Sequence, residues 1–228
     1  MFSFLINEDS RRKKLLNAAP AGAVRDFLSV PLVDRSTDIH TVPLLSLDFE
    51  TSGLDAKKDH IVSAGYVAME GGVVRLSTAH HDLVKLGGSL TEQSVVIHKI
   101  TDDDLSAGRS LEEVVGNLLQ ALAGKVMVAH HARIELTFLT QACQTLYGLS
   151  PRFPVIDTMR IAKLWLQRRN KEIEQGDLRL FNLRQRYGLP MYQAHNALSD
   201  AIATAELLQA QIAHMDSRTT LPLSSFLS

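Results

Sequence analysis

The segment LLSLDFETSGLD, residues 44–55, joins an apolar run to two carboxylates. A short apolar run bounded by turn residues is typical of a buried strand. Asp48 and Glu50 stand at its end, with Phe49 between them. Side chains on a strand alternate between its two faces, so Asp48 and Glu50 are expected on one face, with Phe49 on the other. The sequence therefore predicts a buried strand that ends in paired acids.

Paired acids on one strand face repel each other, and burial makes the repulsion worse. A divalent cation removes this conflict, and hard oxygen ligands favour magnesium or manganese over zinc. The alternative is an acidic strand end that passes into the turn-like sequence TSG. The pair alone leaves both interpretations open.

The remaining pattern predicts one α/β domain. Three strands are predicted in succession: VPLLSLDF, HIVSAGYVAM and GVVRLSTAHHDLV. Gly71-Gly72 predicts a hairpin turn between the last two. Ser110 and Glu113 form a capping-box pattern that opens a helix ending near Leu122. Helices and the short strands KVMVAH and PVID then alternate, giving the order βββαβαβααα and a mixed five-stranded sheet with helices on both faces.

Composition limits the classes of function. The chain has 228 residues and a formal net charge of -1, so it does not bind nucleic acid through overall positive charge. Its single cysteine, Cys143, fits a helical apolar pattern and cannot form an internal disulfide. No apolar window is long enough for a membrane span and no signal peptide is recognised, so a cytoplasmic protein without membrane contact is expected.

Two further motifs carry candidate site residues. In AHNALSDA, Asn196 is a good helix N-cap, which puts Asp200 in the first turns of a helix and His195 on the preceding loop. A neutral histidine there can accept a proton from water near pH 7. In VAHHARIELTFL, Glu135 lies near the start of a helix. Each motif alone also fits a surface histidine or an acid that favours a helix N-terminus.

The three stretches LDFETSGLD, AHHARIELTFL and HNALSDAIATAEL, in this order and spacing, resemble the three motifs of the DnaQ-like (DEDDh) family of 3′–5′ exonucleases. This family includes the proofreading epsilon subunit of bacterial DNA polymerase III. The resemblance runs from about Leu44 to His214 and implies a ribonuclease H-like fold. It places an exonuclease domain at residues 41–216, between an N-terminal helical extension (1–40) and a C-terminal tail (217–228).

The resemblance also implies roles for individual residues. Ligands of two Mg²⁺ or Mn²⁺ ions would be Asp48, Glu50, Glu135 and Asp200. His195 would be the general base of a two-metal phosphodiester hydrolysis, with Glu50 as its catalytic partner. The pocket for the terminal nucleotide would be lined by Thr51, Leu54 and His98.

The second motif departs from the family pattern H-N-A-x-F-D. Here it reads His130-His131-Ala132-Arg133-Ile134-Glu135, with histidine for asparagine and glutamate for aspartate. Glutamate keeps the charge and is one methylene longer, which favours an active enzyme with a modified metal site. The alternative is a catalytically weakened binding or adaptor module.

The expected partners are 3′ ends of single-stranded DNA or RNA, with a nucleoside monophosphate as product. The family acts on both nucleic acids. A track for the strand is suggested by a basic segment containing Arg160, Lys163, Arg168, Arg169, Lys171, Arg179, Arg184 and Arg186, although two solvated helix faces explain it equally well. The short tail argues against association with a polymerase and favours a stand-alone enzyme of DNA repair or RNA turnover. A homodimer formed through the N-terminal segment is an alternative that the sequence leaves open.

Overall fold

The computed structural model describes residues 2–86, 106–193, 195–215 and 220–228, with side chains from residue 8 onward. Two sequence-based predictions fall outside these ranges. One is the pocket residue His98, and the other is a helix-capping pattern at residues 101–104. Both stay predictions.

One five-stranded sheet organises the chain, in the strand order β3-β2-β1-β4-β5. The strands are β1 (Leu44–Thr51), β2 (Ile61–Glu70), β3 (Val73–Leu83), β4 (Val126–Ala129) and β5 (Val155–Asp157). The α-helices of the described part are α1 (Phe2–Ala18), α2 (Ala23–Ser29), α3 (Leu111–Leu122), α4 (Arg133–Tyr147), α5 (Thr158–Arg168), α6 (Leu180–Arg186) and α7 (Ala197–Ala213). None of these helices is long and apolar enough to cross a membrane.

The sheet is mixed, as the sequence predicts. Strand β1 pairs antiparallel with β2, and β2 antiparallel with β3. On its other side β1 pairs parallel with β4, which pairs parallel with β5. The hairpin turn between β2 and β3 is Gly71-Gly72, with φ of 57° and 73°. Positive φ at both central residues is what a twisted two-residue hairpin requires, and glycine adopts it without strain.

Strand β1 is central and has helices on both faces. Leu45, Leu47 and Phe49 belong to an apolar cluster shared with α2, α3 and α4. Leu44, on the opposite face, belongs to a second cluster with residues of α5 and α7. Asp48 and Glu50 continue the face of Leu44, because side chains two apart share a face. The acids therefore lie on the side of the sheet that α7 covers.

The segments that flank the sheet pack onto it. Arg12 of α1 donates hydrogen bonds to the carbonyl oxygens of Phe27 and Val30, at the end of α2. The ring centroid of Phe27 lies 5.3 Å from that of Phe153. At the other end of the chain, Phe226 is buried in the cluster under α7. Both termini of the described chain thus contribute to the core.

Gly65 on β2 permits the close contact between the sheet and α7. It pairs with Asp48 in the β1–β2 register. A Cβ atom at this position would lie 2.1 Å from the backbone nitrogen of Leu198 and 2.2 Å from the carbonyl carbon of Ala197. The hydroxyl of Ser46 on β1 donates to the carbonyl oxygen of Ala201, at 2.7 Å. The first turns of α7 therefore lie directly on the strands that carry the acids.

Gly65→Ala should displace the start of α7. We expect a loss of about 1–3 kcal/mol in the free energy of unfolding, because the added methyl meets backbone atoms that cannot rotate away. Urea denaturation measures the loss. Gly116→Ala is the matched control, since its Cβ would meet only the Cβ of Ala23 at 3.7 Å. A helical Gly→Ala change there should be neutral or stabilise by about 0.5–1 kcal/mol. Equal effects of the two variants would contradict the close-contact role of Gly65.

Candidate metal-binding active site

Three carboxylates converge where α7 crosses β1. Asp48, Glu50 and Asp200 each offer an oxygen atom, and these atoms lie within 4.8 Å of one another. Glu50 and Asp200 are buried, while Asp48 is partly exposed. The sequence separation is about 150 residues, so only the packing of α7 on the sheet brings them together. This group contains three of the four ligands that the sequence predicts.

The start of α7 holds Asp200 in place. The side chain of Asn196 accepts a hydrogen bond from the backbone of Ser199 at 3.0 Å, which confirms Asn196 as the N-cap. The backbone N–H of His195 donates to Asp200 Oδ2 at 3.2 Å. His195 adopts a left-handed conformation with φ of 67°, and its side chain is exposed. The histidine thus stands at the mouth of the site, on the loop that leads into α7.

Burial and mutual repulsion dominate the electrostatics of the cluster. Burial raises the pKa of Asp48 well above its ordinary value, and the charges of Glu135, Glu50 and Asp200 raise it further. Burial also raises the pKa of Asp200 to about 6, although the hydrogen bond from the His195 backbone opposes the shift. Without a cation, Asp48 and Asp200 therefore keep their protons up to a higher pH than isolated aspartates do.

Glu135 lies beside the three-carboxylate group. It is buried in the first turn of α4. Burial raises its pKa to about 8, and repulsion by Asp157 and Glu50 adds to the shift. Its Oε2 atom is buried and has no hydrogen-bond partner among the described residues. A buried carboxylate oxygen without a partner is costly, and a cation would satisfy it.

The site fits a hard divalent cation. All of its candidate ligands are carboxylate oxygens, which suit magnesium or manganese. Asp200 Oδ1, like Glu135 Oε2, is buried and lacks a hydrogen-bond partner within the described ranges. Two such oxygens in one acidic site are explained by ligand atoms whose partner is a metal ion.

Asp157 organises the second motif, and sequence reasoning missed it. Its carboxylate accepts hydrogen bonds from the backbone of His131 at 3.1 Å and of Ala132 at 3.2 Å, where α4 begins. It also accepts from Met159 and Arg160 as the N-cap of α5. One carboxylate therefore fixes two helix starts, including that of the helix that carries Glu135. An aspartate directly before a helical pattern, as in VIDTMR, was the available signal.

His130 and His131 lie outside the acid cluster. His130 bridges the hydroxyl of Thr158 and the carbonyl oxygen of Leu178, both at 2.8 Å. Burial lowers its pKa to about 4, so it is neutral and structural. His131 is exposed, with φ of 66°. Histidine, like asparagine, tolerates this conformation, which accounts for the histidine in place of the family's asparagine.

The predicted pocket residues Thr51 and Leu54 flank the end of β1. Thr51 is buried, and its hydroxyl donates to the carbonyl oxygen of Gly53 at 2.7 Å. Leu54 is 82% exposed, although it is a large apolar side chain. The Asp59 carboxylate holds the loop by accepting the backbone N–H of Asp55 at 2.8 Å. Leu54 is thus displayed at the tip of a hydrogen-bonded loop next to the acids.

Arg184 anchors the loop that carries His195. Its side chain is 0% exposed, so the prediction that it belongs to a surface basic track is wrong. It donates to the carbonyl oxygens of Ala203 and Pro190, both at 2.7 Å, and to the carboxylate of Glu206 at 2.8 Å. Its guanidinium also lies 4.6 Å from the ring centroid of Tyr192. These contacts tie the loop after α6 to the body of α7.

Arg184→Lys should loosen this loop. Lysine keeps the charge but cannot reach three acceptors with a planar fork, so amide hydrogen exchange across residues 188–195 should accelerate about tenfold or more. Exchange in β1 should not change. Arg168→Lys is the control, because Arg168 is exposed on α5. Unchanged exchange in the loop of Arg184→Lys would contradict the anchoring role.

The raised carboxyl pKa values predict how stability depends on pH without metal. The folded protein binds more protons than the unfolded chain wherever a carboxyl pKa is raised, so stability falls as pH rises. Above pH 6.5, Glu135, with a pKa of about 8, contributes to this fall together with Asp48, whose pKa burial raises well above its ordinary value, whereas the neutral His130 no longer contributes. In EDTA, the free energy of unfolding should fall by about 1–2 kcal/mol between pH 6.5 and 8.

Urea denaturation at the two pH values measures this fall, and Glu135→Gln should make it smaller while leaving the contribution of Asp48. A wild-type stability that stays constant or rises across the interval would contradict the assignment of a proton to Glu135.

Comparison with known proteins identifies the family. Residues 45–208 match a family model, RNase_T, described as an exonuclease. The DNA polymerase III subunit epsilon of Treponema pallidum is 30% identical over 175 residues, which are 76% of this chain and 78% of that protein. The PolC-type DNA polymerase III of Thermotoga maritima is 34% identical over 161 residues. That match covers 71% of this chain but only 11% of the polymerase.

Solved structures support the same fold. Exonuclease X in complex with 5′ overhanging duplex DNA superposes with a TM-score of 0.60 at 22% identity, covering 80% of this chain and 98% of that one. The nuclease domain of 3′hExo, a DEDDh family member bound to rAMP, gives a TM-score of 0.64 at 13% identity, covering 78% and 94%. These likenesses confirm the predicted ribonuclease H-like fold. The chain belongs to the exonuclease family.

Proposed function

We propose that the chain removes nucleoside monophosphates from the 3′ end of single-stranded nucleic acid by metal-dependent hydrolysis. The observation that carries the proposal is the convergence of Asp48, Glu50 and Asp200 within 4.8 Å. The family and this acidic cluster indicate the use of a divalent metal. Catalysis would reside in residues 41–216.

Four carboxylates would hold two Mg²⁺ or Mn²⁺ ions: Asp48, Glu50, Asp200 and, from the side of α4, Glu135. When bound, the two ions lower the pKa of the attacking water and stabilise charge at the leaving 3′-oxygen. Burial of the carboxylates keeps water from competing for them and strengthens their attraction to the ions. Glu50, two residues after Asp48 on the same strand, would orient the reacting groups as well as bind metal.

His195 would accept the proton of the attacking water. Its backbone N–H donates to the Asp200 carboxylate, and its side chain is exposed. An imidazole nitrogen can act as a general base toward a bound water. The anchor at Arg184 would hold the loop in the conformation that presents this histidine.

Thr51 and Leu54 would receive the terminal nucleotide, together with His98. Leu54 is well placed for contact with a base, since an exposed leucine at a loop tip next to the acids gains by burial against an apolar surface. The comparison proteins include one solved with DNA and one with a ribonucleotide. We therefore propose single-stranded DNA or RNA as substrate, in a cytoplasmic repair or turnover role.

Nuclease activity should depend on metal and on the negative charge of residue 135. We expect wild type to release mononucleotides from a 5′-labelled single strand with Mg²⁺ or Mn²⁺, and Asp48→Ala to be inactive. Glu135→Asp should retain activity, whereas Glu135→Gln should lose about 10²-fold or more, because it removes a charge from the metal site. Gel analysis of the labelled products measures each rate.

A 3′-labelled substrate, blocked at its labelled end, is the directional control and should resist hydrolysis. Wild type as inert as Asp48→Ala, yet still binding the strand, would contradict the enzyme and favour the binding module.

A further inference from the structure

A cavity lies apart from the carboxylates of the candidate active site. Its volume is about 570 Å³, and α1, residues 32–35, α4, residues 150–155 and the C-terminal tail surround it. Its lining includes none of the acids of the candidate active site. Much of its wall comes from residues before 45 and after 208, outside the span that matches the family. The cavity is therefore a feature of this chain's flanking segments.

Backbone hydrogen bonds hold the walls together. Three of them, of 2.8–2.9 Å, join residues 35–39 to residues 221–224. The backbone N–H of Ser228 donates to the carbonyl oxygen of Val155 at 3.0 Å, along the edge of β5. Arg160 donates to the carbonyl oxygen of Leu227 at 2.8 Å. The tail is thus fixed as one side of a preformed cavity.

Positive charge surrounds the cavity. Its lining contains four arginines: Arg11, Arg12, Arg35 and Arg152. The acidic side chain in the lining is Glu8, which pairs with Arg152 at 3.8 Å. Cationic side chains therefore outnumber anionic ones in the lining. Within the described ranges, Arg11 and Arg35 form no ion pair, so they are available to a bound anion.

Arg12 adds an incompletely satisfied cation. Its Nη2 atom donates to the carbonyl oxygens of Phe27 and Val30, while its Nε atom is buried without a partner in the described part of the chain. Burial lowers the pKa of this guanidinium, which shows that its charge is poorly solvated. An anion in the neighbouring space would offset that cost.

The remaining lining is largely apolar. Leu15, Leu28, Val33, Leu136 and Leu223 all face the space. A volume of about 570 Å³ lies within the range of small-molecule sites, about 300–1,000 Å³. Arginine matches the geometry of phosphate oxygens and binds them in bidentate pairs.

We propose that this cavity binds an organic phosphate of nucleotide size. The phosphate contacts Arg11, Arg35 and Arg152, and the apolar body lies against Leu136 and Leu223. The site is separate from the carboxylate cluster and requires no metal ion. It does not depend on the nuclease activity proposed above.

Isothermal titration of the full chain with AMP, in EDTA, tests the site. The removal of metal excludes binding through the carboxylate cluster. We expect saturable binding of AMP at one site. Inorganic phosphate should bind at least about tenfold more weakly, because it lacks the apolar body. Arg11→Glu with Arg35→Glu should weaken AMP binding by at least about tenfold.

Lys13→Glu with Lys14→Glu is the matched control. It makes the same change in charge on exposed residues of α1 that do not line the cavity, and it should leave AMP binding intact. Thr140→Trp, which fills the cavity without changing charge, should also abolish binding. The proposal is overturned if wild type does not bind AMP, if phosphate binds equally well, or if the control variant loses as much affinity as the arginine variant.

Discussion

Repulsion among closely spaced carboxylates is the dominant physical constraint on this structure. Asp48, Glu50 and Asp200 lie within 4.8 Å of one another, and Glu135 raises the pKa of Asp48 further. No arrangement of this kind is stable through its own contacts, because burial removes the solvation that like charges need. The rest of the fold stabilises the site: the two apolar clusters enclose β1, and α7 is held against the sheet through Ser46 and the gap left by Gly65.

The second motif departs from the family pattern at His131 and Glu135, and the structure shows how each residue is accommodated. Asp157 binds the backbone at the start of α4 and so sets the position of Glu135. His131 adopts a left-handed conformation, which histidine tolerates as asparagine does. Glu135 stays buried and close enough to the other acids to share their electrostatics. Relative to aspartate, glutamate at this position adds one methylene and keeps a carboxyl group beside the other acids.

The order of strands and helices was predictable because it depends on local patterns. Three such features depend only on residues that are close in the sequence. They are the hairpin at Gly71-Gly72, the cap at Asn196 and the alternation that puts Asp48 and Glu50 on one face. The convergence of these acids with Asp200 was predictable only through the family motifs.

Other features depend on contacts between distant segments, which a single sequence does not display. An isolated glycine in a strand signals a close approach, but not that Gly65 meets α7. Arg184 reads as a surface charge, since arginine is rarely buried, and only the structure shows its acceptors on α7 and the preceding loop. The arginine-lined cavity likewise depends on distant segments, because residues 35–39 are hydrogen-bonded to the tail and the tail lies along the edge of β5.

The central claim is that the carboxylate cluster is a metal site. Diffraction from crystals soaked in Mn²⁺, recorded at the manganese absorption edge, tests it most directly. The account predicts anomalous density bounded by Asp48, Glu50 and Asp200, and a second peak that Glu135→Gln weakens. Crystals that show no anomalous density among these carboxylates at saturating Mn²⁺, or show it only elsewhere on the protein, would contradict the account.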